Sequence, residues 1–180
     1  MRKVKDKKNI VLIGMTGSFK TTAGKIIAEK LGYDFFDADD EIVKKYEQRP
    51  IPQIFYLFGE HGFRDRETNV IKKLSKKKGV VISCGGGAVL RDKNMKVLKK
   101  KGMIVQLYAD PEILHARISG DKNRPVTNGK TAAELESLYK IRKPLYDKYG
   151  EHKIDNSSLS PEQTADEVLR KYGSRRIKKG

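Results

Sequence analysis

Residues 9–32 contain an apolar run, a glycine-containing loop and an amphipathic segment in direct succession. The run NIVLIG has the unbroken apolar character of a strand that is buried on both faces. The stretch 20–32 predicts a helix, because its apolar residues recur at helical spacing and Gly32 occupies the C-terminal cap position. The loop therefore connects the carboxyl end of a buried strand to the start of a helix.

The same alternation of strand and helix continues along the chain. Helices are predicted at 110–119, where Asp110 is the N-cap, and at about 131–149. A last helix begins after Ser160, whose side chain forms a capping box with Gln163. Because parallel strands need helical crossovers, the sequence predicts a single-domain α/β fold with a mainly parallel five-stranded sheet between helices. The four further strands are predicted at 33–39, 80–87, 103–109 and near 152–156.

The loop GMTGSFKTT matches the phosphate-binding pattern G-x-x-x-x-G-K-[ST] at Gly14, Lys20 and Thr21. In such loops the backbone N–H groups and the positive end of the helix bind phosphates. We expect Lys20 to reach the β- and γ-phosphates of ATP, and the Thr21 hydroxyl to bind Mg²⁺. The alternative is a glycine-containing turn whose lysine is merely exposed. The other residues expected to contact ATP are Thr16, Gly17, Ser18, Phe19 and Thr22.

Two carboxylates follow the second predicted strand in the stretch FDADDEI. Asp37 and Asp39 stand two residues apart, so both side chains can project into a cleft as the chain turns. One carboxylate suits a metal ion, and the other suits an acceptor hydroxyl from which it would take a proton. The alternative is that Asp39 or Asp40 caps the N-terminus of the following helix.

Arg64 and Glu67 stand one helical turn apart, which allows an ion pair worth a few tenths of a kcal/mol. Alternatively, Arg64 points inward as a fork for an anionic substrate, and Glu67 positions it. The successive glycines Gly85, Gly86 and Gly87 follow a buried strand, where they allow a ligand to approach the backbone closely. A tight turn is the alternative for these glycines.

Two further arginines are candidates for binding anions. Arg124 belongs to the polar loop 120–130, from which it could close over a transferring phosphate. Arg142 lies on a predicted helix ahead of Pro144. Taken singly, each arginine also fits a solvated charge. Because open α/β sheets bind ligands beyond the carboxyl ends of their strands, we expect the phosphate loop, the carboxylates and the glycines to form one site.

The chain carries 39 Lys and Arg against 23 Asp and Glu, a formal net charge of +16. Such a charge suggests nucleic acid, a membrane surface or phosphorylated small molecules as partners. The lysines concentrate at 72–78, 93–101 and the termini without interleaved aromatic residues, so we expect solvated surface and no nucleic-acid or membrane partner. No apolar run approaches the roughly 18 residues of a membrane span. The single cysteine, Cys84, favours a reducing cytoplasm.

In chain order, these stretches resemble the shikimate kinases, which are small P-loop kinases of the nucleoside monophosphate kinase type. The resemblance extends over roughly residues 9–172 and rests on the phosphate loop, DADD, FRDRE, the GGG strand end, the RP pair and RKPLY. It implies a three-layer P-loop kinase fold that forms one domain over 1–180. Its parts would be a substrate-binding region at about 34–66, a mobile lid at about 110–130 and a frayed basic tail at about 173–180.

The resemblance implies transfer of the γ-phosphoryl group of ATP to the 3-hydroxyl of shikimate, in aromatic amino acid (chorismate) biosynthesis, by a cytoplasmic monomer. Lys20 and Thr21 would serve the phosphates and Mg²⁺, with Asp37 behind the water shell of the metal. Asp39 would hold the acceptor hydroxyl and help to deprotonate it. The other implied roles are binding of the shikimate carboxylate by Arg64 and Arg142, contact with the shikimate ring by Gly85, Gly86 and Gly87, phosphate contact by the lid residue Arg124, and contact with adenine by Arg117.

Phe19 departs from the family pattern, which has glycine at this position. The phenyl ring must point away from the phosphates, and the backbone must accept a Cβ atom there. We therefore expect a loop that binds ATP more weakly, or only after rearrangement, in a kinase that still works because its charged residues are all present. The alternatives are a gluconate kinase or other small-acid kinase, a degenerate kinase that binds shikimate but has impaired ATP binding, and a nucleic-acid-binding protein.

Overall fold

A computed structural model describes residues 8–46, 48–119 and 129–177 of the chain, without the side chains of 174–177. Its strands are β1 (Asn9–Ile13), β2 (Asp34–Asp37), β3 (Val80–Ser83), β4 (Gly102–Tyr108) and β5 (His152–Asp155). They form one sheet in the order β2-β3-β1-β4-β5, and each neighbouring pair is parallel. The α/β fold and the five-stranded sheet predicted from the sequence are confirmed.

Seven α-helices accompany the sheet in the described residues. None of these helices is both long and apolar enough to cross a membrane. A short 3₁₀ helix (Ala88–Leu90) follows the glycines after β3. The helices are α1 (Lys20–Leu31), α2 (Ala38–Lys45), α3 (Ile51–Leu74), α4 (Asp92–Lys99), α5 (Pro111–Ile118), α6 (Ala132–Tyr149) and α7 (Pro161–Ile177).

The central strand β1 is buried on both of its faces, as its apolar run predicts. Ile10 and Leu12 belong to the hydrophobic cluster that contains the inward faces of α1 and α7. Val11 and Ile13 belong to the opposite cluster, which α2, α3, α4 and α6 complete. Alternate residues of a strand point to opposite faces of a sheet, so this single strand connects both cores of the three-layer structure.

The ends of several helices follow local sequence signals. Gly32 adopts the left-handed conformation at the C-terminus of α1, and its N–H donates to the carbonyls of Ala28 and Glu29. Ser160 and Gln163 form the predicted capping box, in which the Ser160 N–H donates to Gln163 Oε1 at 2.9 Å. Both signals depend only on neighbouring residues, which is why the sequence predicts them correctly.

Some predicted boundaries differ from the structure. Asp110 stands at the N-cap position of α5 without capping it, because its carboxylate accepts a hydrogen bond from the Tyr108 hydroxyl at 2.9 Å. Strand β2 ends at Asp37, whose side chain already caps α2. Helix α7 continues through Ile177, so the backbone of 173–177 is helical.

Gly59 interrupts α3 with φ 65° and ψ 178°, so this element consists of two helical arms that meet at a kink. The first arm carries the exposed side chains of Tyr56 and Phe58. The second arm carries Arg64 and Glu67, which are both buried. The kink therefore separates an exposed apolar segment from the arm that faces the carboxyl ends of β2 and β3.

Candidate active site

The loop after β1, the strand end of β2 and the glycines after β3 meet in one cavity of about 250 Å³. This arrangement is what the rule for open α/β sheets predicts, since the three segments all follow the carboxyl ends of parallel strands. The cavity is lined by Thr16, Gly17, Phe19, Lys20, Thr21, Thr22, Asp37, Asp39, Ser83, Cys84, Gly85, Gly86, Arg117 and Ile118.

Lys20 lies across the phosphate loop and is 8% exposed. Its Nζ donates to the Met15 carbonyl at 2.7 Å and lies 3.5 Å from Ser18 Oγ, which itself donates to Met15. Gly14 turns the chain at φ 144°, and a Cβ atom there would lie 2.1 Å from the Leu107 carbonyl oxygen, so only glycine fits. The loop thus holds a cation at the N-terminus of α1, where an anion is favoured.

Thr21 and Asp37 form a hydrogen-bonded pair beside the loop. The Thr21 hydroxyl donates to Asp37 Oδ2 at 2.6 Å, and Asp37 Oδ1 accepts from the Asp39 backbone N–H at 3.0 Å. The N-cap of α2 is therefore Asp37, and the alternative that Asp39 or Asp40 caps this helix is wrong. The physical reason is that Asp37 is still extended, with φ −95° and ψ 124°, so its carboxylate reaches the N–H two residues later.

A hydroxyl and a carboxylate are oxygen ligands of the kind that Mg²⁺ prefers. The described residues contain no group of three or more His, Cys, Asp or Glu side chains arranged to hold a metal ion. The Thr21 hydroxyl and the Asp37 carboxylate nevertheless fit Mg²⁺, which usually keeps several water ligands and binds through one or two protein groups and the substrate phosphates.

Asp39 lies against the glycines that follow β3. A Cβ atom on Gly85 would be 2.9 Å from Asp39 Oδ1 and 3.0 Å from Glu67 Oε1. The glycines also form turns, since the Ala88 N–H donates to the Gly85 carbonyl at 3.0 Å. The tight turn, which was the alternative at the sequence level, is therefore present, and the approach of a ligand to these glycines stays a prediction. The carboxylate of Asp39 and the backbone of Gly85 line the same part of the cavity.

Arg64 and Glu67 form a buried ion pair, with 6% and 0% of their surfaces exposed. Arg64 Nη1 donates to Glu67 Oε2 at 2.9 Å, and Nη2 donates to Glu60 Oε1 at 3.3 Å. Burial raises the pKa of Glu67 to about 7, although the positive charge of Arg64 opposes this shift. Among the described residues, Glu67 Oε1 and Arg64 Nε have no hydrogen-bond partner. The ion pair with Glu67 is therefore present and Arg64 points inward, while its role as a fork for an anionic substrate stays a prediction.

The two arginines Arg64 and Arg142 pack against successive glycines. A Cβ atom on Gly87 would be 2.1 Å from Arg64 Nη2, and one on Gly86 would be 3.3 Å from Arg142 Nη1. Arg142 is 5% exposed, so it is not a solvated charge. The neighbouring Tyr146 hydroxyl donates to the Gly86 carbonyl at 2.6 Å, and burial raises the pKa of Tyr146 to about 12. Two guanidinium groups thus flank the glycine backbone, an arrangement that can bind a carboxylate.

Phe19 stands in the left-handed conformation, with φ 64° and ψ 16°, at the N-terminus of α1. This is the conformation for which the phosphate-binding pattern uses glycine, and Phe19 adopts it with a side chain in place. Its ring packs against Arg117, with the guanidinium carbon 3.7 Å from the ring centroid. Both residues line the cavity at the phosphate loop.

Asn156 is a site residue that the sequence analysis missed. It is fully buried, and its Nδ2 donates to the Ser18 carbonyl at 2.9 Å. Arg117 Nη2 donates to the Asn156 carbonyl at 2.9 Å, and Arg117 Nη1 donates to Asn156 Oδ1 at 3.2 Å. Asn156 directly follows β5, and the strand-end rule that identified the other loops also applies to this position. The predicted lid residue Arg124 lies outside the described residues.

The sequence model of one protein family, described as shikimate kinase, matches residues 16–172. A shikimate kinase of Thermodesulfovibrio yellowstonii is 44% identical over 166 residues, which cover 92% of this chain and 95% of the relative. The chain belongs to the shikimate kinase family. Members of this family are ATP-dependent kinases, which accounts for the phosphate loop in the cavity.

Solved structures support the same assignment. A shikimate kinase from Acinetobacter baumannii in complex with shikimate has a TM-score of 0.90 and 38% identity, and the match covers 94% of this chain and 95% of that one. A gluconokinase from Sinorhizobium meliloti 1021 has a TM-score of 0.65 at 17% identity, with 98% and 99% coverage, and this likeness shows the fold alone. The chain thus belongs with the shikimate kinases, and the likeness to the gluconokinase gives no support to a gluconate kinase, which was the alternative at the sequence level.

Proposed function

We propose that this protein transfers the γ-phosphoryl group of ATP to the 3-hydroxyl of shikimate through the residues of the cavity described above. The observation that carries the proposal is the shared cavity itself. The phosphate loop and the Thr21–Asp37 pair line it, and so do Asp39, Gly85 and Gly86. A phosphoryl donor on the loop and an acceptor hydroxyl at Asp39 would lie next to each other, and phosphoryl transfer depends chiefly on such positioning.

The phosphate end of the site would bind the nucleotide. The loop amides and Lys20 would contact the β- and γ-phosphates, because the cation already lies within the loop at the N-terminus of α1. Thr21 and Asp37 would hold Mg²⁺, which would neutralise charge on the phosphates when bound. Asp37 would act from outside the first coordination shell, and its contact with Thr21 would orient the hydroxyl.

The acceptor end would bind shikimate as an anion. Arg64 and Arg142 flank the glycine backbone closely enough for both to grip a carboxylate, and Glu67 would hold Arg64 in place. The relative from Acinetobacter baumannii was solved in complex with shikimate, which supports this choice of acid. The glycines would allow the substrate ring to lie against the backbone.

Asp39 would act on the acceptor hydroxyl. Its carboxylate would accept the hydroxyl proton while the oxygen of that hydroxyl forms a bond to the γ-phosphorus. The bond between the γ-phosphorus and the β-γ bridging oxygen would break at the same time, which leaves ADP and shikimate 3-phosphate. Arg124, from the lid, would stabilise the charge on the transferring group.

We propose that the enzyme works as a cytoplasmic monomer with no nucleic-acid partner. The single cysteine, Cys84, is buried and free, which suits a reducing compartment. The lysine-rich segments lack the interleaved aromatic residues that stack on bases.

A coupled assay of ADP release tests the proposal. We expect release that depends on both Mg²⁺ and shikimate, with much slower release when gluconate replaces shikimate. The phosphorylated position is then identified by NMR of the product. If saturating shikimate does not stimulate ADP release at saturating ATP, the proposed function is wrong.

A further inference from the structure

The residue that departs from the family pattern makes a specific contact. The ring of Phe19 lies with its centroid 3.7 Å from the guanidinium carbon of Arg117, which is within the range of a cation–π interaction. The two residues are far apart in sequence, and they meet because Phe19, at the N-cap of α1, lies against Arg117 of α5. A side chain in a left-handed backbone persists when its surroundings stabilise it, so this contact is a candidate for what makes phenylalanine acceptable here.

The edges of the Arg117 guanidinium are occupied by protein acceptors. Nη1 donates to the Gly17 carbonyl at 3.3 Å and to Asn156 Oδ1 at 3.2 Å, and Nη2 donates to the Asn156 carbonyl at 2.9 Å. Asn156 in turn donates to the Ser18 carbonyl, so the loop, β5 and α5 are joined at this point. A guanidinium whose edges are engaged in this way offers its flat faces to a further ligand.

One of these faces is covered by the Phe19 ring, and a planar ligand would use the other. Phe19, Arg117 and Ile118 line the same cavity as the phosphate loop, so a nucleotide with its phosphates on the loop would bring its base to this end. A base stacks on a guanidinium face without needing hydrogen bonds from its edges. The ring would then stand behind the guanidinium and fix the plane on which the base rests.

We propose that Phe19 is a positioning residue that orients Arg117 for stacking against the base of a bound nucleoside diphosphate or triphosphate. The proposal rests on the proposed function, because it takes ATP to be the ligand of the loop. It also reverses the expectation that the phenyl ring only weakens nucleotide binding. In this arrangement the ring offsets the cost of the left-handed backbone by supporting the base-binding surface.

The test compares ADP with inorganic pyrophosphate, since only ADP has a base. Phe19→Leu is the main variant, because leucine keeps a Cβ atom in the same left-handed backbone but lacks an aromatic face. We expect this variant to bind ADP roughly 3- to 10-fold more weakly, the range of a half-buried cation–π contact, and to bind pyrophosphate as the wild type does. Phe19→Tyr, which keeps the aromatic face, should restore the affinity for ADP. Titration calorimetry without shikimate measures both ligands.

A second arm tests whether Phe19 acts through Arg117. Arg117→Ala should weaken ADP binding, and adding Phe19→Leu to it should cause little further loss, because the contact between them is already absent. Additive losses would mean that the two residues act independently and would overturn the proposal. Shikimate binding, measured in the same proteins, shows that each variant is folded.

Three other results would also overturn the proposal. An equal loss of ADP and pyrophosphate affinity would show that Phe19 only shapes the phosphate loop. Tighter ADP binding by Phe19→Leu would show that the ring obstructs the base. Unchanged ADP binding would show that the ring has no role in nucleotide binding. The proposed function is tested by a different measurement. It is wrong if ADP release in the wild type does not depend on shikimate, whatever the result of the titrations.

Discussion

Substitution of Gly87 by alanine tests the position of Arg64 in the site. Gly87 has φ −95° and ψ 3°, a backbone conformation that alanine accepts, so the change adds a methyl group without backbone strain. That methyl carbon would lie 2.1 Å from Arg64 Nη2, 2.5 Å from Cζ and 2.7 Å from Nη1. The whole guanidinium therefore has to move away from the glycine backbone.

The size of this movement sets the expected effect. Ordinary contact begins at 3.4 Å, so the nearest guanidinium nitrogen must shift by roughly 1 Å or more. Arg64 is 6% exposed and paired with buried Glu67, so a shift of its guanidinium also disturbs this ion pair. Misplacement of a substrate-positioning group by about 1 Å can cost on the order of 10²-fold in rate. We expect kcat/KM for shikimate to fall by about that factor.

Steady-state kinetics at varied shikimate, combined with ADP titration, measure the effect. ADP affinity without shikimate should stay unchanged, because the phosphate loop is formed by other residues. Gly173→Ala is a matched control, since a Cβ atom there meets nothing within 4 Å and alanine favours the helix α7 by about 0.5–1 kcal/mol. If kcat/KM of Gly87→Ala stays within about threefold of the wild type, the assignment of Arg64 to the substrate is wrong.

Three further predictions concern other parts of the cavity. Arg142→Ala should weaken transition-state binding by an amount on the order of 2–4 kcal/mol, which is measured as a fall in kcat/KM for shikimate. ADP binding, measured by calorimetry, should stay unchanged, and a defect mainly on the nucleotide side would contradict this role. Glu67 has a pKa of about 7 in the folded protein against an ordinary value of 4.5, so its contribution to stability is present below about pH 4.5 and is lost as pH rises towards 7. Urea unfolding should therefore show that the stability of Glu67→Gln falls less than that of the wild type between about pH 5 and 7.5, and equal slopes would refute the shift. Asp37→Asn should raise the Mg²⁺ concentration needed for half-maximal activity with little change in thermal stability, because asparagine still caps α2; an unchanged Mg²⁺ requirement would argue against a metal role for this carboxylate.

The features that depend on neighbouring residues can be predicted from the sequence alone. The unbroken apolar run of β1, the glycine cap of α1 and the capping box of α7 are local patterns, and each predicts its element without knowledge of the rest of the chain. The strand-end rule adds one non-local step. It predicts that the phosphate loop, the carboxylates after β2 and the glycines after β3 share a site, and the three segments do line one cavity.

Small differences in backbone conformation determine which of two neighbouring residues caps a helix. Whether Asp37 or Asp39 caps α2 depends on where β2 ends, and a difference of one or two residues decides which carboxylate faces the backbone. The sequence shows that both aspartates are present, but it does not give the backbone angles that make Asp37 the cap. The same applies to Asp110, which is spaced as a cap but is engaged by the hydroxyl of Tyr108.

Contacts between residues that are distant in the chain are seen only in the tertiary structure. The order β2-β3-β1-β4-β5 brings the end of β5 to the phosphate loop, and Asn156 thereby becomes a partner of Ser18 and Arg117. The burial of Arg64 and Arg142 against the glycines, and the stacking of Phe19 on Arg117, arise in the same way. Periodicity and motifs depend only on residues that are close in the sequence. The pKa of a side chain and its contact partners depend instead on how the elements pack against each other.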